Sequence, residues 1–343
     1  MKVCVLTTSY PRAPGDFAGA FVADAVSHLR AAGVDVDVVS PSSFRHFGIA
    51  YGDGIANNLR ARPWLVLLLP LFFLSFARAA RRASGDADVV HAHWLPSAVA
   101  GLATGKPLLL QPWGSDVELA KRLSLLFRPL LRRTIIVCAS SALRDDLRSL
   151  GARDVRVLPS GVAMPDDVGD PDEPPHILYV GRLSEEKGVR DLAAAASELP
   201  LVVVGDGPLR DLVPSSVGFV SRDELRGYFQ RAAIVCVPSR REGYGFTARE
   251  AMAYGRAVVT TGVGGLGDAV QDDVTGVVVA PHDPAALRAA LELLLGNRRL
   301  RVRLGAAARA KARTEFAWPA ATSALVALYG EVVTRSGSEH IRS

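Results

Sequence analysis

The feature that most constrains this chain is a series of short apolar runs, each separated from the next by an amphipathic segment. VCVLTTS, VDVDVVS, DVVHAHW, PLLLQP and TIIVCAS occupy the first part, and HILYVGR, LPLVVVGDG, AAIVCVPS, RAVVTTG and TGVVVAP the second. Runs this short and this uniformly apolar suit strands buried on both faces, and their alternation with helical segments is what a parallel sheet covered by helices requires. Both halves therefore read as α/β, Rossmann-like doubly wound units. Between them MPDDVGDPDEPP, residues 164–175, concentrates acids and prolines without helical or strand periodicity and reads as an interdomain linker. The expected division is an N-terminal domain over 1–163, the linker, a C-terminal domain over 176–315 and a helix over 316–335. A return of that helix to the N-terminal domain is one course for it, and the polar RSGSEHIRS after it reads as a frayed tail. A length of 343 residues fits two domains of about 150 each. Two such sheets facing each other would turn their carboxyl ends toward a central cleft, where ligands of open α/β folds bind.

Composition narrows the partners. With 49% apolar and 22% charged residues the chain has the material for buried cores and too little net charge for disorder. The net charge of +5 is carried by dispersed arginines without a Lys-rich tail, so a phosphorylated ligand or an anionic membrane is expected and nucleic acid is not. Cys4, Cys138 and Cys236 each sit inside an apolar run, as small core residues. Their spacing offers neither a disulfide framework nor a metal site, which fits a reducing compartment. Met1 and Lys2 lead straight into VCVLTT with no export pattern, so a cytoplasmic location is expected.

The strongest chemical signal is PSRREGYGFTAREAMAYGRAVVTT, residues 238–261: a strand exit, a Gly-rich loop, a short helix and another strand. Gly243 and Gly245 let the backbone turn tightly and present amides to a diphosphate at the helix start. Glu250, a turn or two into the helix, is placed to accept from ribose hydroxyls. Glu242 and Glu250 could instead be ordinary loop and helix carboxylates, but spacing, glycines and context together favour a site. The second signal is LYVGRLSEEKG, residues 178–188, where a strand ends at Gly181 and delivers Arg182 and Lys187. Two cations there can stabilise a departing diphosphate without a metal. Asp35 and Asp37 alternate with valines on a strand and read as structural rather than as metal ligands.

A third feature is PWLVLLLPLFFLSFA, residues 63–77, flanked by Arg60, Arg62, Arg78, Arg81 and Arg82, with no acid between Asp53 and Asp86. The run is shorter than the ~20 residues needed to cross a bilayer, and Pro70 interrupts it. The alternatives are a buried helix and an interfacial segment with an arginine collar, and the one-signed flanks predict a mixture of both. A second basic cluster, Lys121, Arg122, Arg128, Arg132 and Arg133, surrounds LSLLFRPLL.

Over nearly its whole length the chain resembles the retaining glycosyltransferases of family four, whose architecture is GT-B. The resemblance is carried by TSYPRAPGDFAGAFV, DVVHAHW, GSDV, GRLSEEKG, VVGDGPLR, PSRREGYGFTAREAMAYG and DDVTGVVVAP. It implies that Arg182 and Lys187 hold the diphosphate of a nucleotide-sugar, that Glu242 contacts the donor sugar and that Glu250 binds the ribose. Gly243, Tyr244, Gly245, Phe246 and Thr247 complete the donor-binding loop. The resemblance also implies retention at the anomeric carbon, no obligatory metal, and no cofactor beyond the nucleotide-sugar substrate. Gly205 and Gly207 either pack the nucleotide or form a plain turn. Arg210 breaks the G-x-G-x-x-G pattern there and argues against a nicotinamide cofactor. Gly19 stands in a loop that approaches the diphosphate, with Ala18 where relatives often have a second glycine. At least one of His91 and His93 is expected at the cleft mouth, His93 being the catalytic candidate. Trp113 replaces a histidine that many relatives carry, and Asp116 is then expected to orient the acceptor. The acceptor expected is a glycan, lipid-linked or membrane-proximal. The alternatives are a nucleotide-sugar epimerase or hydrolase on the same fold, and a non-catalytic peripheral membrane scaffold.

Overall fold

The apolar runs all become parallel strands in the computed structural model, which describes residues 1–13, 16–51 and 54–340. Pro14 and Gly15 of the first motif, and residues 341–343 of the tail, lie outside the described residues. The chain forms two units, the first comprising 1–138, 143–158 and the residues from Ala321 onward, the second 139–142 and 159–320.

The first unit contains β1 (Lys2–Leu6), α1 (Ala20–Ala31), β2 (Asp35–Val39), α2 (Ile55–Ala61), α3 (Leu69–Ala83), β3 (Val89–His93), α4 (Leu95–Leu102) and β4 (Leu108–Gln111). It continues through α5 (Ser115–Arg122), α6 (Ser124–Arg133), β5 (Ile135–Cys138), α7 (Ser141–Ser149) and β6 (Val155–Val157). The six strands lie in the order β2-β1-β3-β4-β5-β6. Side chains alternate across the sheet, as the period of a strand dictates. Leu6, Val90, Leu110 and Ile136 meet Phe72 and Phe76 of α3, Leu95 of α4, Phe127 and Leu131 of α6 and Leu147 of α7. On the opposite face Val3, Val5 and Val89 meet Val22, Val26 and Leu29 of α1. The same face is completed by Leu325, Leu328, Tyr329 and Val332 from the last helix of the chain. Lys2 Nζ lies 3.1 Å from Asp37 and 3.7 Å from Asp35, so these two acids serve an ion-pair cluster.

Two readings of the sequence change here. Residues 63–83 form one continuous helical segment of 21 residues, 3₁₀ over Pro63–Leu68 and α thereafter, long and apolar enough to cross a bilayer. Pro70 does not interrupt it, because it falls at the 3₁₀-to-α junction, in the first turn of α3, where the fixed φ of proline is accommodated. The tail reading also shortens, since the last helix runs on to His340.

The second unit contains β7 (Ile177–Val180), α8 (Val189–Ala195), β8 (Leu201–Val204), α9 (Arg222–Arg231), β9 (Ile234–Val237), α10 (Phe246–Ala253) and β10 (Ala257–Thr260). It closes with α11 (Gly265–Ala269), β11 (Val277–Val278), α12 (Pro284–Gly296), α13 (Arg298–Lys311) and the start of α14 (Trp318–His340). Strand order is β11-β10-β9-β7-β8. Leu178, Val235 and Val258 pack on α10 and Phe316, whereas Tyr179, Ile234 and Val259 pack on Leu192, Leu287 and Leu291. The acid- and proline-rich segment is strapped to this unit. Arg309 donates to the Pro165 carbonyl at 2.8 Å, Arg256 to that of Gly169 at 2.8 Å, and the Asp172 N–H to Arg231 at 2.9 Å. The three cysteines are buried and form no disulfide, and burial pushes Cys4 up to about 12.

Candidate functional site

In the second unit the chain leaves β7 for β8 on one side and then returns to β9 on the other, so strand order reverses between β7 and β9. The carboxyl ends of two such strands open a crevice between their following loops. Residues 181–188 enter it from β7 and residues 238–245 from β9. The two loops are fastened together, with the Arg240 and Arg241 N–H groups donating to the Glu186 carbonyl at 2.8 and 3.1 Å. The Arg240 guanidinium grips Asp191 of α8 with both arms, at 2.7 and 2.9 Å, a geometry that fixes direction as well as distance. Arg241 pairs with Glu186. Lys187 Nζ thereby reaches Glu242 Oε2 at 2.6 Å, and Ser239 Oγ donates to the same oxygen at 3.4 Å. Arg182 is exposed and has no side-chain partner among the described residues.

The loop leading into α10 turns its acceptors inward. Ser140 Oγ donates to the Gly243 carbonyl at 2.8 Å, and the Arg249 guanidinium donates to that of Tyr244. Gly245 caps α10 with φ of 86°, a left-handed conformation that glycine adopts without a Cβ clash. The N–H groups of Gly243 and Gly245 donate to nothing among the described residues, so the loop presents donors at a helix start, the arrangement that suits an anion. Tyr244 is buried, its hydroxyl donating to Ser160, with Phe246 edge-on at 4.8 Å. Thr247 Oγ1 donates to Val180 at 3.2 Å and pins the first turn of α10 to the end of β7. Glu250 is half-buried on the same helix. Gly205 and Gly207 have a packing reason of their own. A Cβ at Gly205 would lie 1.9 Å from the Gly181 carbonyl, and one at Gly207 2.5 Å from that of Leu183, so both let the β8 exit press against the segment carrying Arg182.

Sequence reasoning passed over Arg249. It is fully buried, its guanidinium 3.7 Å from the centre of the Tyr244 ring and 4.6 Å from that of Phe316, and burial lowers its pKa. It braces the loop from beneath. One arginine in FTAREAMA looks like another until the helix is placed, so only its position beside Glu250, about 100° around α10, hinted at an inward face.

In the first unit strand order reverses between β1 and β3. Gly19 caps α1, and a Cβ there would lie 2.1 Å from the Ser9 carbonyl. His91 and His93, the pair expected near a ligand, are both buried. Trp113 stacks on His93 at 6.0 Å and 9°, and its indole N–H donates to His93 Nδ1 at 3.1 Å. Nδ1 is thus the acceptor, and the neutral ring carries its proton on Nε2. Burial, reinforced by His91, holds His93 well below the ordinary histidine range. His91 Nδ1 meets the Tyr329 hydroxyl at 2.7 Å, and burial brings its pKa down to about 3. Asp116 is buried as well. One carboxylate oxygen accepts from the N–H groups of Trp113 and Gly114 at 3.0 and 3.1 Å, the other from that of Leu95 at 3.1 Å. Burial raises its pKa while these bonds oppose the rise. It positions Trp113, and through it His93. No group of three or more His, Cys, Asp or Glu side chains able to hold a metal occurs among the described residues.

Residues 18–164 match the family described as Glycosyltransferase Family 4, and residues 174–297 match Glycosyl transferases group 1. A D-inositol 3-phosphate glycosyltransferase of Xylanimonas cellulosilytica is 31% identical over 319 residues, covering 75% of each chain. A glycogen synthase of Mycobacterium tuberculosis is 32% identical over 222 residues, 57% of this chain and 53% of that one. Among solved structures, a sucrose-phosphate synthase from Thermosynechococcus elongatus shares the fold with a TM-score of 0.81 over 97% of this chain and 99% of that one, at 22% identity. Anabaena HepE in complex with UDP and glucose does so at 0.73 over 96% and 100%, at 16% identity. Two parallel-sheet α/β units with these likenesses make the architecture GT-B, and the chain belongs to glycosyltransferase family 4.

Proposed function

We propose that the protein is a retaining, metal-independent glycosyltransferase whose nucleotide-sugar donor sits at the carboxyl ends of β7 and β9. The observation that carries this is the Lys187–Glu242 pair, held beside the inward-turned loop whose Gly243 and Gly245 amides are unused. Arg182 and Lys187 take the diphosphate, Glu250 the ribose, and Glu242 lies by the sugar. Its tie to Lys187 favours an electrostatic role over direct attack on the sugar carbon. The bond from the anomeric carbon to the phosphate oxygen breaks, and the acceptor oxygen bonds to that carbon from the same face. The acceptor's proton passes to the departing phosphate oxygen. The chain supplies orientation and charge.

The test is a thermal-shift screen across UDP, GDP and ADP sugars in excess EDTA. A donor at one hundred times its Kd stabilises the bound state by about 2.7 kcal/mol, which raises Tm by roughly 5–10 °C. One base class should give this rise, unchanged by EDTA. A rise that needs manganese or magnesium overturns the metal-independent reading, and no rise with any donor overturns the donor site.

The acceptor side is assigned to an anionic membrane on the cytoplasmic face, with a glycan or lipid-linked acceptor. Supporting this, one stripe of α3 is core, with Phe72, Phe76 and Ala80 buried, while Trp64, Leu67, Leu71 and Leu74 are exposed between arginines. A half-embedded helix of this kind lies in an interface. The triple variant Arg78→Ser, Arg81→Ser, Arg82→Ser should bind phosphatidylcholine–phosphatidylglycerol vesicles about 100-fold more weakly at low salt, at about fivefold per arginine. Its donor-induced Tm shift should persist. Wild-type protein that ignores such vesicles overturns the assignment.

A further inference from the structure

Helix α6 carries Leu125, Arg128, Pro129, Arg132 and Arg133 at the spacing of one helical face, while Phe127, Leu130 and Leu131 on the other side are buried in the core. With Arg153, from the turn after α7, these residues line a cavity of about 390 Å³. Four arginines line it and no acidic residue does. None of the four forms an ion pair or side-chain hydrogen bond among the described residues. The neighbouring acid is already engaged, Asp154 being paired with Arg156 at 2.7 Å and with Arg335. Like charges gathered on one cavity repel each other, and an anion placed among them removes that cost. Planar guanidinium forks match the oxygens of a phosphoryl group. At the start of the same helix Leu125 and Leu126 are 84% and 69% exposed, so an apolar edge adjoins the cationic cavity.

The geometry points to a phosphoryl-binding site for the headgroup of an amphiphile in a lipid surface, the four arginines holding the phosphate and the two leucines entering the acyl boundary. This deepens and rests on the membrane-surface reading of the first unit, and it places a defined headgroup site on a helix separate from α3.

The experiment is cosedimentation with phosphatidylcholine vesicles, with and without phosphatidylglycerol, alongside calorimetric titration of inorganic phosphate. The double variant Arg132→Gln, Arg153→Gln changes only exposed side chains and should lose about 25-fold in affinity for the anionic vesicles. Leu125→Ser with Leu126→Ser should weaken the same binding. Wild-type affinity in the arginine variant overturns the site while leaving α3 as the membrane contact. Loss in the arginine variant but not in the α3 triple variant upholds the site and overturns the α3 assignment. If the leucine variant binds vesicles like the wild type while inorganic phosphate binds the wild type and not the arginine variant, the ligand is a soluble phosphate and the lipid assignment is overturned.

Discussion

Replacing Glu242 by alanine should lower kcat by roughly 10- to 1,000-fold, the range for losing one transition-state contact, with a smaller change in donor affinity. In the proposed mechanism its carboxylate helps most as the anomeric centre becomes cationic. Glu250→Ala should act differently, raising the donor KM with kcat little changed, because the ribose contacts proposed for it would be made equally in the ground and transition states. Lys187→Ala should affect both parameters. The diphosphate is charged before and during reaction, and a hydrogen bond to a charged group is worth about 1.5–3 kcal/mol. The substitution also strips Glu242 of the ammonium 2.6 Å away, so its effect and that of Glu242→Ala should be less than additive in the double variant. Steady-state kinetics on the variants, with circular dichroism to confirm folding, decide the matter. Near wild-type kcat in Glu242→Ala would reduce the loop to a donor cradle.

Acid should loosen the first unit. His91 is held neutral with a pKa near 3, and His93 is shifted in the same direction, both mainly by burial. The unfolded chain binds these protons near pH 6.5 and the folded chain does not, so the unfolded state carries more protons below that value. The stabilising contribution is therefore complete above about pH 6.5 and falls as the pH drops. For His91 alone the loss is about 1.4 kcal/mol per pH unit, or about 2 kcal/mol at pH 5. His93 adds to it. Thermal unfolding at pH 7 and pH 5 should show a smaller acid-induced drop in Tm for His91→Asn than for the wild type. Equal drops in the two proteins would mean that His91 does not titrate on unfolding.

What could be read from the sequence follows from how local the physics is. Strands buried on both faces announce themselves as apolar runs, so the α/β class and nearly every strand were visible. The edge strand β6 was not, because VRV is short and leaves Arg156 exposed. The loop proposed for the donor stands out in the sequence because glycine, acid and helix start lie within a dozen residues. The partnership of Lys187 with Glu242 crosses 55 positions and needed the β7–β9 adjacency to appear. The bonds that Asp116 makes were hidden for a related reason. A carboxylate that caps two loops and one that faces a ligand look alike until backbone N–H groups are located. The strapping of residues 164–175 was equally hidden, since proline and acid content reports what a segment cannot form and not which arginines will capture its carbonyls.

The crossing of α14 into the first unit also sets the order in which the chain can mature during synthesis. Leu325, Leu328, Tyr329 and Val332 cover one face of the sheet that begins at Lys2, and burying each contributes roughly 1.5–3 kcal/mol. Until those residues emerge from the ribosome, Val3, Val5 and Val89 keep part of that face exposed, however long ago they were made. The second unit, whose strands all lie between residues 177 and 278, has its sheet complete earlier. Domains commonly fold in the order of their synthesis. Here strands made early in synthesis wait for a helix made after the second sheet is complete.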